Sequence, residues 1–119
     1  MYTKKHGVPV NYIFFSGYNY HRAAAGISIY EKCSIEDIKR LATMVEGDLK
    51  AGAAGISFGL EYAPGMQADE IINLCSIIGE KDIKLAAHIR DDRDNSIPAV
   101  KEAIYIAEKT ELPLFISHI

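Results

Sequence analysis

Lys84-Leu85-Ala86-Ala87-His88-Ile89, the stretch from Ser96 to Ala107, and Pro113-Leu114-Phe115-Ile116-Ser117-His118 read in turn as a strand, a helix and a strand. The first and last are short apolar runs, each closing on a histidine. Between them, polar Arg90-Asp91-Asp92-Arg93-Asp94-Asn95 makes a loop. Ser96 is placed to cap the helix, with Pro98 tolerated in its first turn and Val100, Ala103, Ile104 and Ala107 as its apolar face. The same unit repeats upstream. Val10-Asn11-Tyr12-Ile13-Phe14-Phe15 is rich in aromatic and β-branched residues and stops at Ser16-Gly17, as a strand does. From Ser34 the pattern turns helical: Ser34 and Asp37 form a capping-box pair, and Ile35, Ile38, Leu41, Ala42, Val45 and Leu49 recur at helical spacing up to Gly52. Ala53-Ala54-Gly55-Ile56-Ser57-Phe58 is a second strand, and Ile71, Ile72, Leu74, Cys75 and Ile78 mark a further helix ended by Gly79.

The order is therefore β-α-β-α-β-α-β, an α/β class of parallel β/α repeats. Apolar strands joined by helices imply parallel pairing through right-handed crossovers. Two architectures satisfy that order, an open doubly wound sheet and a β/α barrel. A barrel needs about eight strands, so on that reading residues 1–119 are a single segment making half of one. A half barrel leaves sheet edges unpaired, and self-association through them is expected.

Composition narrows the function classes. The chain is 49% hydrophobic and 24% charged, the balance of a folded globular protein rather than a disordered one. A net charge of −3, with no stretch concentrating Lys and Arg, gives nucleic acid no electrostatic footing. Thr3-Lys4-Lys5-His6 is too short a basic run to count as more than a solvated N-terminus. Cys33 and Cys75 lack metal-type spacing; Cys75 sits in an apolar run and reads as a buried thiol, while Cys33 precedes a helix and reads as more exposed. No leader pattern stands at Met1 and no apolar run approaches membrane-spanning length, so a cytoplasmic location without membrane contact is expected.

The histidines carry the strongest chemical signal. His88 and His118 lie thirty residues apart, one β/α unit, and both end strands on the side where such sheets place their chemistry. Imidazoles at neighbouring strand ends can converge on one metal ion; the competing reading is two unrelated polar residues. In Gly55-Ile56-Ser57-Phe58-Gly59-Leu60-Glu61-Tyr62-Ala63-Pro64-Gly65, the strand end offers Ser57, Glu61 and Tyr62, and Gly59 and Gly65 permit close backbone approach or positive φ. No Lys-Ser/Thr pair or G-x-G-x-x-G follows, so it is not a phosphate cradle. Strand alternation places Arg90 on the side of His88, with Asp91 and Asp92 as partners one layer out. His21-Arg22 reads as part of a surface loop that a substrate anion would have to approach.

In ordered combination these stretches resemble the N-acyl-D-amino-acid deacylases, or D-aminoacylases, of the amidohydrolase superfamily. Gly52 to Gly65 is similar to the family's G-A-x-G-x-S-T-G-L-x-Y-x-P-G, Ala87-His88-Ile89-Arg90 to its T-H-x-R, Ala99 to Ile104 to its A-x-x-E-A-I, and Ile116-Ser117-His118 to its I-S-H. Gly17 to Arg22 is similar to G-H-G-x-x-R. The resemblance implies a zinc-dependent hydrolase on a TIM-type (β/α)8 barrel, with this chain supplying strands three to six. It implies His88 and His118 as metal ligands, zinc as the cofactor, and a small N-acyl amino acid as substrate, with Ser57, Tyr62 and Arg90 as candidate substrate-binding residues. The family's H-x-H pair, cysteine ligand and catalytic aspartate have no counterpart here, so the general base is expected outside this chain and low activity is expected of these residues alone. Phe58 stands where the family has Thr, and Tyr18 and Asn19 replace the His and second Gly of G-H-G. A dihydroorotase- or hydantoinase-like amidohydrolase, and a non-catalytic β/α assembly module, are the alternatives.

Overall fold

A computed structural model describes residues 11–118. Four parallel strands run β1 (Ser16–Gly17), β2 (Gly55–Gly59), β3 (Lys84–His88) and β4 (Leu114–Ile116), interleaved with helices α1 (Tyr18–Ala24), α2 (Ile35–Lys50), α3 (Ala68–Ile78) and α4 (Ser96–Thr110). The strands lie side by side in sequence order, each pair parallel. That order never reverses, as it must in a doubly wound sheet. Successive right-handed crossovers therefore keep the helices on one face, which is barrel topology, open at β1 and β4.

Alternation along the strands follows from that one-sided cover. Ile56, Phe58, Leu85 and Ala87 are buried against Ile38, Leu41, Val45, Ile71 and Leu74 of the helix layer. Burying each large aliphatic chain contributes roughly 1.5–3 kcal/mol, so this seam dominates stability. Ser57, Ala86, His88 and Phe115 alternate onto the opposite face, where Phe115 is exposed. That face is lined by small and polar side chains at the ends where β2 and β3 stop.

Local signals explain most boundaries. Ser34 Oγ accepts from the Asp37 amide at 3.1 Å while Asp37 Oδ2 accepts from the Ser34 amide at 3.2 Å, completing the capping box of α2. Gly79 ends α3 in the left-handed region at φ 70°, where its N–H bonds Cys75 O. Two boundaries and one helix face differ from the sequence reading. The first strand is Ser16–Gly17, not the aromatic run before it; of that run, Phe14 O accepts from the Ala54 amide at 2.9 Å just ahead of the regular pairing with β2. Val10, like Thr3 to His6 and Met1, lies outside the described residues. The cap of α4 is Asn95 rather than Ser96, and its side chain donates to Asp91 Oδ2 instead of the helix. The buried face of α4 is Ala99, Ala103, Ile106 and Thr110, turned from the expected stripe, and Ile104 is exposed.

Two further expectations are corrected. His21 and Arg22 are not in a surface loop: they lie on α1 and both are buried, Arg22 with 2% exposure. Arg22 escapes a large desolvation cost because Glu70 receives its Nε at 2.9 Å and its Nη2 at 3.3 Å. Cys33 is buried as well, and burial with the nearby Glu70 charge pushes its thiol up to about 11. No helix among the described residues is long and apolar enough to cross a membrane.

Candidate metal centre

His88 is the last residue of β3 and stands opposite Gly59 in β2. The register of β3 with β4 pairs Ala87 with Ile116, which makes Ser117 the residue opposite His88. His118 is thus offset by one from the position the thirty-residue spacing suggests. It lies just past the end of β4 at Ile116, with Ser117 N still held on Ala87 O at 2.9 Å. The two imidazoles meet edge to face, their centroids 4.3 Å apart.

Asp92 completes a cluster. Its Oδ2 lies 3.2 Å from His118 Nδ1, and ligand atoms of His88, Asp92 and His118 all fall within 4.8 Å of one another. Two imidazoles and one carboxylate are a donor set suited to zinc. The residues present therefore fit a divalent metal on chemistry and spacing. Asp91 holds the loop that presents Asp92. Its Oδ1 accepts from the Arg93 amide at 2.8 Å, its Oδ2 from Asn95, and these bonds keep its carboxyl below the usual value.

Glu61 enters from the β2–α3 loop, and its Oε2 contacts His88 Nε2. The contact fixes the orientation of the His88 ring from the Nε2 side. The Tyr62 ring lies over His88 at 4.7 Å between centroids, on an otherwise exposed side chain. Ser57, Gly59, Tyr62, His88 and Ser117, with Asn19 and Tyr20 of α1, line a cleft of about 310 Å³ on the sheet face opposite α2 and α3. A larger hollow of about 680 Å³, lined by Asp91, Pro98, Lys101 and Glu102, carries no histidine.

Of the residues singled out from sequence, His88 and His118 come together, Ser57 and Tyr62 share the cleft, and Arg90 turns elsewhere. Its Nε and Nη2 donate to Glu102 at 2.9 and 3.0 Å, and Nη2 also donates to Met66 O at 2.6 Å. Asn19 was not read as a site residue, yet its side chain bonds both Gly59 O and Gly59 N at 2.9 Å, pinning the end of β2 beneath the cleft. Its place directly after the end of β1, two residues beyond Gly17, was the available signal.

The comparisons with known proteins converge on one group. The D-aminoacylase of Alcaligenes xylosoxydans xylosoxydans is 30% identical over 111 residues, covering 92% of this chain and 23% of that one. The N-acyl-D-aspartate deacylase of the same organism is 36% identical over 87 residues, covering 69% and 18%. Among solved structures, the N-acyl-D-glutamate deacylase from Bordetella bronchiseptica, complexed with zinc and a phosphonate inhibitor, superposes with a TM-score of 0.84. It shares 27% identity and covers 94% of this chain and 24% of that one.

This segment is homologous to part of the N-acyl-D-amino-acid deacylases.

No protein-family model matches the chain. The deacylase segment spans less than a quarter of the length of the curated relatives it matches. Its fold agrees with that of the Bordetella bronchiseptica enzyme over 94% of the chain, and the open four-stranded sheet is that of a partial barrel.

Proposed function

We propose that residues 1–119 form one segment of a metal-dependent barrel hydrolase that cleaves the amide of N-acyl-D-amino acids. His88 and His118 serve as its zinc ligands and Asp92 as a third donor. The observation that carries this reading is the convergence of these three side chains at the ends of β3 and β4, beside a cleft on the sheet face opposite α2 and α3. The kinship with D-aminoacylase and with N-acyl-D-aspartate deacylase supports the substrate class. A bound zinc ion supplies Lewis acidity, activating water and polarising an amide carbonyl.

The chain's own residues do the rest within reach of that centre. Glu61, in contact with His88 Nε2, holds the orientation of that ring. Tyr62 covers one face of His88 and, with Ser57, offers hydroxyl groups along the cleft for an acyl or carboxylate oxygen. The general base lies outside these 119 residues. In the net reaction water adds across the C–N bond, releasing a carboxylate and a free D-amino acid. Two buried free thiols, Cys33 and Cys75, agree with a reducing, cytoplasmic compartment. The outer edges of β1 and β4 favour self-association when these residues stand alone.

The test is hydrolysis of N-acetyl-D-amino acids, followed as release of free amine. A longer protein containing this segment should show zinc-dependent, D-selective turnover that is lost in His88→Ala, and residues 1–119 alone should show almost none. Full turnover retained in the His88→Ala, His118→Ala double variant would overturn the assignment.

A further inference from the structure

The loop from Leu60 to Met66 carries two of the groups that touch His88, Glu61 and Tyr62, and contains only two short turns of its own, closed by Ala63 N on Leu60 O and Met66 N on Ala63 O. Its start is tied to β3 by Leu60 N on His88 O at 3.0 Å, and one guanidinium holds its far end. Arg90 leaves β3 two residues after His88, donates twice to Glu102 on α4, and donates to Met66 O at 2.6 Å and Pro64 O at 3.5 Å. A planar fork of five donors can satisfy a carboxylate and two carbonyls at once; a lysine ammonium cannot match that geometry.

The opposite side of the loop is held in the same way. Arg22 pairs with Glu70 on α3 and donates to Ser28 O at 3.2 Å and Glu31 O at 2.6 Å. That fixes the turn at residues 28–31, whose Ile29 O receives the Gly65 amide at 2.8 Å. Gly65 has no room for a side chain there: a Cβ would lie 2.4 Å from the backbone of Tyr30 and of Glu31. Pressed between two arginine-held supports, and with Leu60, Ala63 and Met66 fully buried, the loop has one resting place.

We propose that Arg90 is a positioning residue: with Glu102 it fixes the 60–66 loop so that Glu61 and Tyr62 meet His88, and it acts through the loop rather than by touching substrate. Its consequence for metal affinity rests on the reading of His88 as a ligand; its consequence for the loop does not.

The experiment compares wild type with Arg90→Ala, Arg90→Lys and Glu102→Gln, all metal-free, by amide hydrogen exchange and by nitrogen NMR of the His88 imidazole. In Arg90→Ala the amides of Ala63, Gly65 and Met66 should exchange about tenfold faster while β2 stays protected, and the His88 ring nitrogen shifts should change. Arg90→Lys should behave like the alanine variant, because charge without the fork does not hold both carbonyls, and Glu102→Gln should fall between. Arg90→Lys also serves if the alanine variant fails to fold. Zinc affinity, read by competition with a chelating dye, should weaken by roughly 10- to 100-fold in Arg90→Lys. Unchanged exchange and unchanged His88 nitrogen shifts in a folded Arg90→Lys protein would overturn the proposal, as would a higher KM with the loop undisturbed. Wild type that binds no zinc contradicts the reading of the metal centre instead, and leaves the exchange and NMR results to decide this one.

Discussion

The imidazoles of His88 and His118 pack edge to face at 4.3 Å between centroids, inclined by 72°, although they come from different strands and are offset by one residue in register. Asp92 sits beside this pair with its Oδ2 on His118 Nδ1. A ring pair in that contact places two neutral nitrogen donors within reach of a single cation, and the aspartate adds the charge a divalent ion prefers.

Asp92→Asn should therefore weaken zinc binding by about tenfold or more while leaving the fold untouched, since Asp92 is a half-buried loop residue and the amide keeps its shape. Chelator competition gives the affinity, and circular dichroism checks the fold.

The buried pair of Arg22 and Glu70, with side-chain exposures of 2% and 3%, makes a distinct claim about stability. Removing one partner strands the other charge, so Glu70→Ala should lower the unfolding free energy by about 3–5 kcal/mol in urea titrations. The Arg22→Met, Glu70→Leu double variant should be less destabilised than that single one, because no unpaired charge remains. Tyr18 and Cys33 would register the same loss, since the Glu70 charge adds to burial in holding both hydroxyl and thiol protonated.

Asp48 gives a pH dependence. Burial works to raise its carboxyl, but hydrogen bonds from Ser16 Oγ and from His21 Nε2, both at 2.7 Å, outweigh it and hold Asp48 below the usual carboxylate value. The unfolded chain then binds the proton more tightly. The stabilisation is full above about pH 4 and is lost as pH falls through the folded value. With Asp48 39% exposed, solvent screening limits it to less than about 1 kcal/mol. Urea midpoints of Asp48→Asn should fall less steeply than wild type between neutral and acid pH; parallel curves would contradict this.

Gly55→Ala should be far worse than an ordinary glycine replacement. A Cβ there would lie 1.8 Å from Lys84 O, inside the β2–β3 pairing itself. Since neither strand's backbone can move without shifting the register that places Gly59 beside His88, a cost above about 3 kcal/mol is expected. Thermal unfolding measures it.

Much of this was readable from residue order. The strand–helix alternation, the capping box at Ser34, the stop at Gly79 and the pairing of His88 with His118 all rest on local chemistry, and local chemistry is what sequence displays. Which architecture the repeats adopt was less legible, because β1-β2-β3-β4 order is a property of strand neighbours, and hydropathy does not report neighbours. Arg22 and Arg90 illustrate the same limit. Their charge suggested solvent or substrate, whereas Glu70 and Glu102, each reached from far along the chain, convert both into internal clamps. Glu61 could be noticed at a strand end, but its contact with His88 depends on a loop whose anchors lie on three separate elements.

Zinc stoichiometry tests the central claim most directly. Purified residues 1–119, stripped of metal and titrated with zinc against a chelating dye, should bind one ion per chain, and the His88→Ala, His118→Ala double variant should bind none while keeping its helical content. Stoichiometric zinc retained by the double variant, or no binding by wild type, would contradict a metal centre at the ends of β3 and β4.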